Sequence, residues 1–386
     1  MTITVTIPGP GGGQHVLHEG HGYPAVCAPS VSREAYAAAH VVANPLTASM
    51  ADSGEGTIDW SATLRIRERI WDLGLGVAEA MDTAQRGMGL PWSDAQTLID
   101  LTLTAGRARN AATVVGVSTD QLPENLPASL EQITQAYIEQ VEFVEQRGGT
   151  PVLMASRWLA ATARTADDYL QVYRAVLVAA RGPVLLHWLG VAFDARLEGY
   201  WGSTDLDVAT RTVLDLIESE PAKIAGIKIS LLDAAREVRL RRQLPAGVKL
   251  FTGDDFNYVD LIAGDELGHS HALLGAFAAI TPIAAAALAR LDASDVDGYR
   301  RILEPTLPLS RLVFQEPTQY YKTGVAWLSY LNGDQRSFRM IGGLDSGRNI
   351  AHLIELFVTA NDIGLFRDPA LTAHRLNTYL AAYGLA

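Results

Sequence analysis

Residues 221–230 read PAKIAGIKIS, an apolar run with a lysine two places from its end. A strand covered on both faces accounts for the run, and inside it the ammonium of Lys228 has to be stranded, paired or chemically employed. Strand periodicity puts Gly226, Lys228 and Ser230 on one face and Ile227 and Ile229 on the other. With the small residues toward the inside of a closed sheet, Lys228 points inside too, into space that a glycine leaves open. Desolvation lowers the pKa of such an amine and frees it to attack a carbonyl. A structural lysine, snorkelling to the rim or paired with a carboxylate such as Asp254, is the other reading of the same spacing.

Seven further short runs have the same character: AAAHVVA (37–43), LGVAEAM (75–81), AATVVGV (111–117), TPVLMAS (150–156), GPVLLHW (182–188), GVKLFTG (247–253) and ALLGAFA (272–278). Together with IAGIKIS (224–230) they make eight strands, the count a closed barrel needs. Helical periodicity fills the intervals, as in SLEQITQAYIEQVEFVEQ (129–146) and TADDYLQVYRAVLVAA (165–180), each opened by a Ser or Thr in N-cap position. The alternation predicts an α/β fold, a (β/α)₈ TIM barrel over 36–293. A doubly wound open sheet is the alternative, but no G-x-G-x-x-G follows the early strands. Ahead of the barrel, Ile3, Val5 and Ile7 alternate up to GPGGG, and HVLH resumes after it, which predicts an N-terminal β-hairpin arm within 1–35. After it, segments such as QYYKTGVAWLSYL predict a C-terminal helical region over 294–386.

The 386 residues are 48% hydrophobic and 19% charged, as in a folded globular chain. A net charge of −12 without a basic block argues against nucleic acid or an anionic membrane as partner. The single cysteine, Cys27, cannot form an intrachain disulfide and is read as a lone thiol in a reducing compartment. The N-terminus has no signal-peptide pattern, no apolar stretch has a membrane span's character, and a cytoplasmic enzyme is the expectation.

At GIK (226–228), followed after about 25 residues by LFTGDD (250–255), the sequence resembles the dihydrodipicolinate synthase and N-acetylneuraminate lyase family, with its strand-six lysine and strand-seven SGDD element. LGHSHALLGAFAAITP (267–282) and YYKTGVAWLSYLNG (320–333) are similar to later parts of that family, and GPVLLHWLG (182–190) and AMDTAQRG (80–87) to earlier ones. The overall pattern is most similar to a bacterial offshoot described only as a domain of unknown function. The resemblance implies a class I aldolase barrel in which Lys228 forms the Schiff base. It implies that Thr83 is the second residue of a paired-threonine loop that binds a keto-acid carboxylate and relays protons. Asp82 stands at the first threonine, where a second negative group would meet that carboxylate, and Gln85 stands at the motif's glutamate. His187 replaces the proton-shuttling tyrosine, and a histidine is a competent acid or base near neutral pH. The family arginine past that tyrosine has no counterpart. Gly253 and Asp254 follow the GDD element, with Asn257 at the mouth. Trp188 and the loop residues Tyr200 and Trp201 are read as substrate contacts suited to a sugar or polyol ring.

The expected activity is a lyase that uses Lys228, with His187 and Thr83 relaying protons, on a keto acid or keto-sugar, with carbon–carbon cleavage, formation or dehydration and no organic cofactor. Two alternatives stay open. One is a metal-dependent sugar isomerase, epimerase or aldolase, with Glu79, His269 and His271 as candidate ligands of a divalent metal ion. The other is a barrel that binds a metabolite without turnover. The resemblance also implies a homodimer or homotetramer, and the stretch around Ser53 to Gly56 is a candidate lid.

Overall fold

The computed structural model describes residues 3–8, 12–18, 20, 22–24, 27–49, 56–123 and 126–385. Strands β1 (Ile3–Ile7) and β2 (Gly13–Leu17) pair antiparallel, with Ile3 opposite Leu17 and Ile7 opposite Gly13. The buried Val5, Ile7 and Leu17 pack toward the helix Pro369–Ala382. Asn361 ties the hairpin down by donating its amide to the Val16 carbonyl at 2.9 Å. Residues 9–11 of the GPGGG turn, and Ser53, Gly54 and Glu55 of the candidate lid, lie outside the described residues.

Eight parallel strands close the barrel: β3 (Ala35–Ala38), β4 (Gly76–Glu79), β5 (Thr113–Val117), β6 (Thr150–Leu153), β7 (Val184–Leu189), β8 (Ile224–Ser230), β9 (Lys249–Thr252) and β10 (His271–Leu274). They pair in chain order and β10 returns to β3, so the sheet has no edge. Each falls within or beside one of the expected runs. Two run ends differ. The first run begins earlier and stops at Ala38, and the last stops at Leu274, because the helix Ala276–Asp292 takes over its alanine-rich tail. A short alanine-rich run suits either element, and here the closing strand is only four residues long. That helix is kinked at Ile280 (φ −119°), two residues before Pro282, whose ring cannot supply the N–H that a regular turn requires.

Inside the barrel Ala38, Ala78, Val114, Val152, Leu185, Phe251 and Leu273 make the packed layers, with Met81 and Met154 above them. The space at Gly226 is not left for Lys228: a Cβ there would stand 2.9 Å from the Phe251 ring, which already fills it. Past the barrel, the helices Val296–Leu303, Leu307–Val313, Tyr321–Leu331, Ile350–Asp362 and Pro369–Ala382 form the C-terminal region. The third of these packs on Ala276–Asp292 and reaches the turn Asp82–Ala84 at the C-terminal end of β4. This contact brings the start of a late helix over the mouth of the barrel. Among the described residues no helix is long and apolar enough to cross a membrane.

Candidate active site

Lys228 lies in register with His187 on β7 and Phe251 on β9, and all three side chains turn inward. It is 7% exposed and its Nζ makes no hydrogen bond or ion pair with a described residue. Burial lowers its pKa below the ordinary lysine value, while the carboxylates of Asp82 and Asp255 act in the opposite direction. The glycine that matters for it is Gly253, just past β9. A Cβ on Gly253 would lie 2.6 Å from Lys228 Cε, so the chain passes too close to the amine's stem for any side chain.

The amine opens on a cleft lined by Asp82, Thr83, Ser230, Asp255, Phe314 and Tyr321 among others. A roomier cavity lies beside Tyr23, Leu73 and Pro282. The smaller one is the candidate site, because it sits at the C-terminal ends of the strands and collects ionisable groups around a desolvated amine.

Asp255 is buried, and its Oδ1 accepts the Ala276 N–H at 2.8 Å, at the start of the helix Ala276–Asp292. Burial pushes its pKa up to about 7, against the pull of that hydrogen bond and of Lys228. Thr83 Oγ1 and the Tyr321 hydroxyl are 2.7 Å apart. The Tyr321 ring stacks on Phe314 at 4.5 Å and 13° between planes, which fixes the direction of its hydroxyl. Burial, reinforced by Asp82 and Asp255, holds its phenol well above the usual value. His187 Nε2 stands 3.2 Å from Ser230 Oγ, its Nδ1 has no hydrogen-bond partner among the described residues, and burial followed by the neighbouring Lys228 keeps the ring neutral at physiological pH. Lys322, next to Tyr321, is 2% exposed and donates to the Met88 thioether at 3.2 Å. Burial takes its amine down to about 8, with Asp82 opposing.

The turn that presents Asp82 and Thr83 has left-handed backbone on both flanks, at Ala80 (φ 52°) and Gln85 (φ 66°). Glu79 and Gln85 hold those strained positions. Glu79 accepts the Ala80 N–H at 2.7 Å, and the Gln85 amide donates to the carbonyls of Met88 (3.0 Å) and Ile341 (2.9 Å). Gln85 is therefore a clamp on the loop, and it is not among the residues that line the Lys228 cleft.

Several other expected site residues lie elsewhere. Trp188, between the inward His187 and Leu189, points into the helix-layer core. Tyr200 and Trp201 are buried against the helix Ala166–Ala179: the Tyr200 hydroxyl accepts the Ser156 N–H at 3.1 Å, and the Trp201 ring lies 4.5 Å from that of Tyr173. Asp254 accepts the N–H groups of Phe256 and Asn257 and the Asn257 side-chain amide, so these two residues shape a turn. The candidate metal ligands do not converge. Glu79 faces the helix layer, where Arg67 grips both its oxygens at 2.8 Å and Thr102 donates at 2.6 Å. His271 opens β10 at the opposite end of the barrel with His269 beside it, and its Nδ1 accepts the Glu34 N–H. Among the described residues no group of three His, Cys, Asp or Glu could hold a metal ion.

Residues 13–385 match the sequence model of a family described as protein of unknown function (DUF993). The chain belongs to the DUF993 family. No curated protein sequence matches this DUF993 chain. Its fold is similar to solved structures of dihydrodipicolinate synthases. A prophage protein of the dihydrodipicolinic acid synthase family from E. coli K12, in complex with pyruvate, is 13% identical, with a TM-score of 0.67 over 87% of this chain and 100% of the other. The chloride-inhibited enzyme from Acinetobacter baumannii, complexed with pyruvate, is 16% identical, with a TM-score of 0.63 over 87% and 100%. The enzyme from Oceanobacillus iheyensis is 14% identical, with a TM-score of 0.64 over 86% and 96%. At these identities the likeness establishes the barrel fold of the DUF993 chain.

Tyr321 and Lys322 have no local sequence signature. They sit in YYKTGV, which reads as the start of an apolar helix, and Tyr321 meets Thr83 across 238 residues of chain. The only available signal is a polar Tyr-Lys pair opening a helix that is otherwise buried. Replacing Tyr321 by phenylalanine keeps the ring on Phe314 and removes the hydroxyl. The rate at which Lys228 forms a reductively trapped adduct should then fall by about 10²-fold with thermal stability little changed, the usual scale for one positioned acid or base. An unchanged rate removes Tyr321 from the relay.

Proposed function

We propose that this protein is an aldolase-type lyase that forms an imine between Lys228 and a carbonyl substrate. The observation that carries the proposal is a buried amine with no ion-pair partner among the described residues, facing a cleft at the C-terminal end of the barrel with Asp255 and the Thr83–Tyr321 pair around it. The pyruvate complexes among the structural neighbours support a carbonyl ligand for a barrel of this shape. The neutral amine attacks the carbonyl carbon, a C–N bond forms, and the oxygen leaves as water once it has taken up two protons, one of them from the amine. In the iminium the nitrogen draws electrons. A base removes the proton of a hydroxyl β to the former carbonyl, the carbon–carbon bond breaks, and its electron pair flows into an enamine. Protonation of the enamine carbon and hydrolysis then free the second product and the lysine. The same electron sink serves loss of a β-hydroxyl as water.

Asp255, with a pKa of about 7, exchanges protons at the amine. The resemblance assigns proton shuttling to a tyrosine at the position of His187. Here Tyr321, from the C-terminal helix, brings a phenol to Thr83 from the other side, and the neutral His187 with Ser230 is a further relay. The iminium is its own electron sink, so the proposed chemistry needs no organic cofactor or metal ion.

The test is intact-mass analysis after borohydride treatment with pyruvate, 2-keto-3-deoxy sugar acids and keto-sugars. An adduct mapped to Lys228 supports the reading, and a folded protein with no adduct from any of them overturns it. Asp255 supplies a second check. Its carboxylate raises the Lys228 pKa, so Asp255→Asn should let the amine lose its proton more easily. The rising limb of adduct formation against pH should therefore move to lower pH, and a shift to higher pH contradicts the assignment.

A further inference from the structure

Imine formation places a carbonyl carbon at Lys228 Nζ, and the charges around that point bear on the rest of the substrate. Asp82 lines both the Lys228 cleft and an adjoining cavity that contains Arg86, Asp120, Arg157, Trp158 and Asp194, and Leu189 is the second shared wall, so the two form one trough. The Asp82 carboxylate makes no hydrogen bond or ion pair with a described residue, and it lies within electrostatic reach of both Lys228 and Lys322. Lys322 has three N–H donors, and its one hydrogen bond among the described residues is to a thioether, a weak acceptor.

Elsewhere in the trough the cations are already matched. Arg86 holds Asp120 through two nitrogens, one at 2.7 Å, and also donates to the Gly116 carbonyl. Arg157 is paired with Asp194 and donates to the Gly87 carbonyl at 3.0 Å. Arg196 grips the same Asp194 from its solvent side, with 61% of its side chain exposed. No arginine inside the trough is left without a carboxylate for an incoming anion, and a substrate carboxylate beside Lys228 would face Asp82 in a water-poor cleft. A hydroxyl fits the same place, because it donates to Asp82 in a charge-assisted bond, while Lys322, which lines neither cavity, acts there only through its charge on Asp82. Phe193 and Phe314 beside the amine, with Trp158 further along, supply flat apolar faces for the C–H side of such a molecule.

We propose that the substrate is a neutral polyhydroxylated ketone or aldehyde of the keto-sugar class, with Asp82 reading its hydroxyls, and not a 2-keto acid. The inference rests on the imine reading for its carbonyl end alone. Its first test is trapping with cyanoborohydride, comparing dihydroxyacetone with pyruvate at equal concentration. The wild type should label faster with dihydroxyacetone, and Asp82→Thr should shift the ratio of the two rates toward pyruvate by about tenfold. Faster labelling by pyruvate in the wild type, or a ratio that Asp82→Thr leaves unmoved, overturns the inference and leaves the imine standing.

The second test needs no carbonyl: binding of xylitol and of D-gluconate to Lys228→Met is followed by saturation-transfer NMR. Xylitol binding that Asp82→Ala abolishes supports the hydroxyl-reading carboxylate, even if no protein gives an adduct and the imine itself falls. Preference for gluconate, or no binding of xylitol, overturns it.

Discussion

Lys228→Met removes the borohydride adduct and lowers turnover by at least about 10³-fold, the scale seen when a covalent nucleophile is lost. Methionine matches the lysine stem in length, suits a position that is 7% exposed, and fills the space against Gly253. Because Lys228 holds no direct ion pair among the described residues, the fold loses no buried partner there, and melting should change little. Asp255 and Asp82 do lose a nearby positive charge, so Asp255 in the variant holds its proton to higher pH than the about 7 of the native site. Lys228→Arg separates that electrostatic effect from the covalent one: it keeps a cation and has no amine that forms the imine. Both variants should be inactive. Activity retained in the arginine variant defeats the imine mechanism while leaving a charge role in place.

The second large effect is on stability and lies at the end of β4, on the side of the barrel opposite β8 and its amine. Glu79 and Arg67 are both fully buried, joined through two contacts of 2.8 Å, and Arg67 donates further to the carbonyls of His40 and Thr63. Glu79→Leu strands the guanidinium in the core and should cost about 3–5 kcal/mol, read from the midpoint of urea unfolding. The double variant Arg67→Met, Glu79→Leu should recover most of that loss, because the penalty belongs to the unpaired charge more than to the missing bond. A double variant as unstable as the single one shows instead that the pair's hydrogen bonds hold the strand ends together. The single change also removes the acceptor for Ala80 N–H, at the left-handed residue that starts the turn to Asp82 and Thr83. Adduct formation should therefore suffer in Glu79→Leu even at temperatures where the protein is folded.

The candidate site was partly legible. Lys228 stood out because an ammonium in a doubly covered strand violates the burial pattern, and parity alone placed it inside. Thr83 followed from the resemblance of AMDTAQRG, and the structure gives it a hydroxyl partner there. Tyr200 and Trp201 misled because an aromatic pair in a loop reads the same whether it lines a pocket or seals the core. Their partners, Tyr169 and Tyr173, are on a helix that the pattern identifies but cannot aim. Glu79 looked like a metal ligand for a similar reason: its saturation by Arg67 and Thr102 depends on two helices packing over one strand end.

By itself the sequence determined the barrel and the direction of Lys228, since both follow from the period of neighbouring residues along single strands and helices, a property carried within a few residues of chain. The surroundings of the amine were decided only by the tertiary structure. Tyr321 reaches the mouth because the helix that bears it packs on Ala276–Asp292, and Asp255 is tuned by burial and by an N–H donated from the start of that same helix. Such contacts depend on which faces of distant elements are buried together, and local periodicity carries no record of the partner.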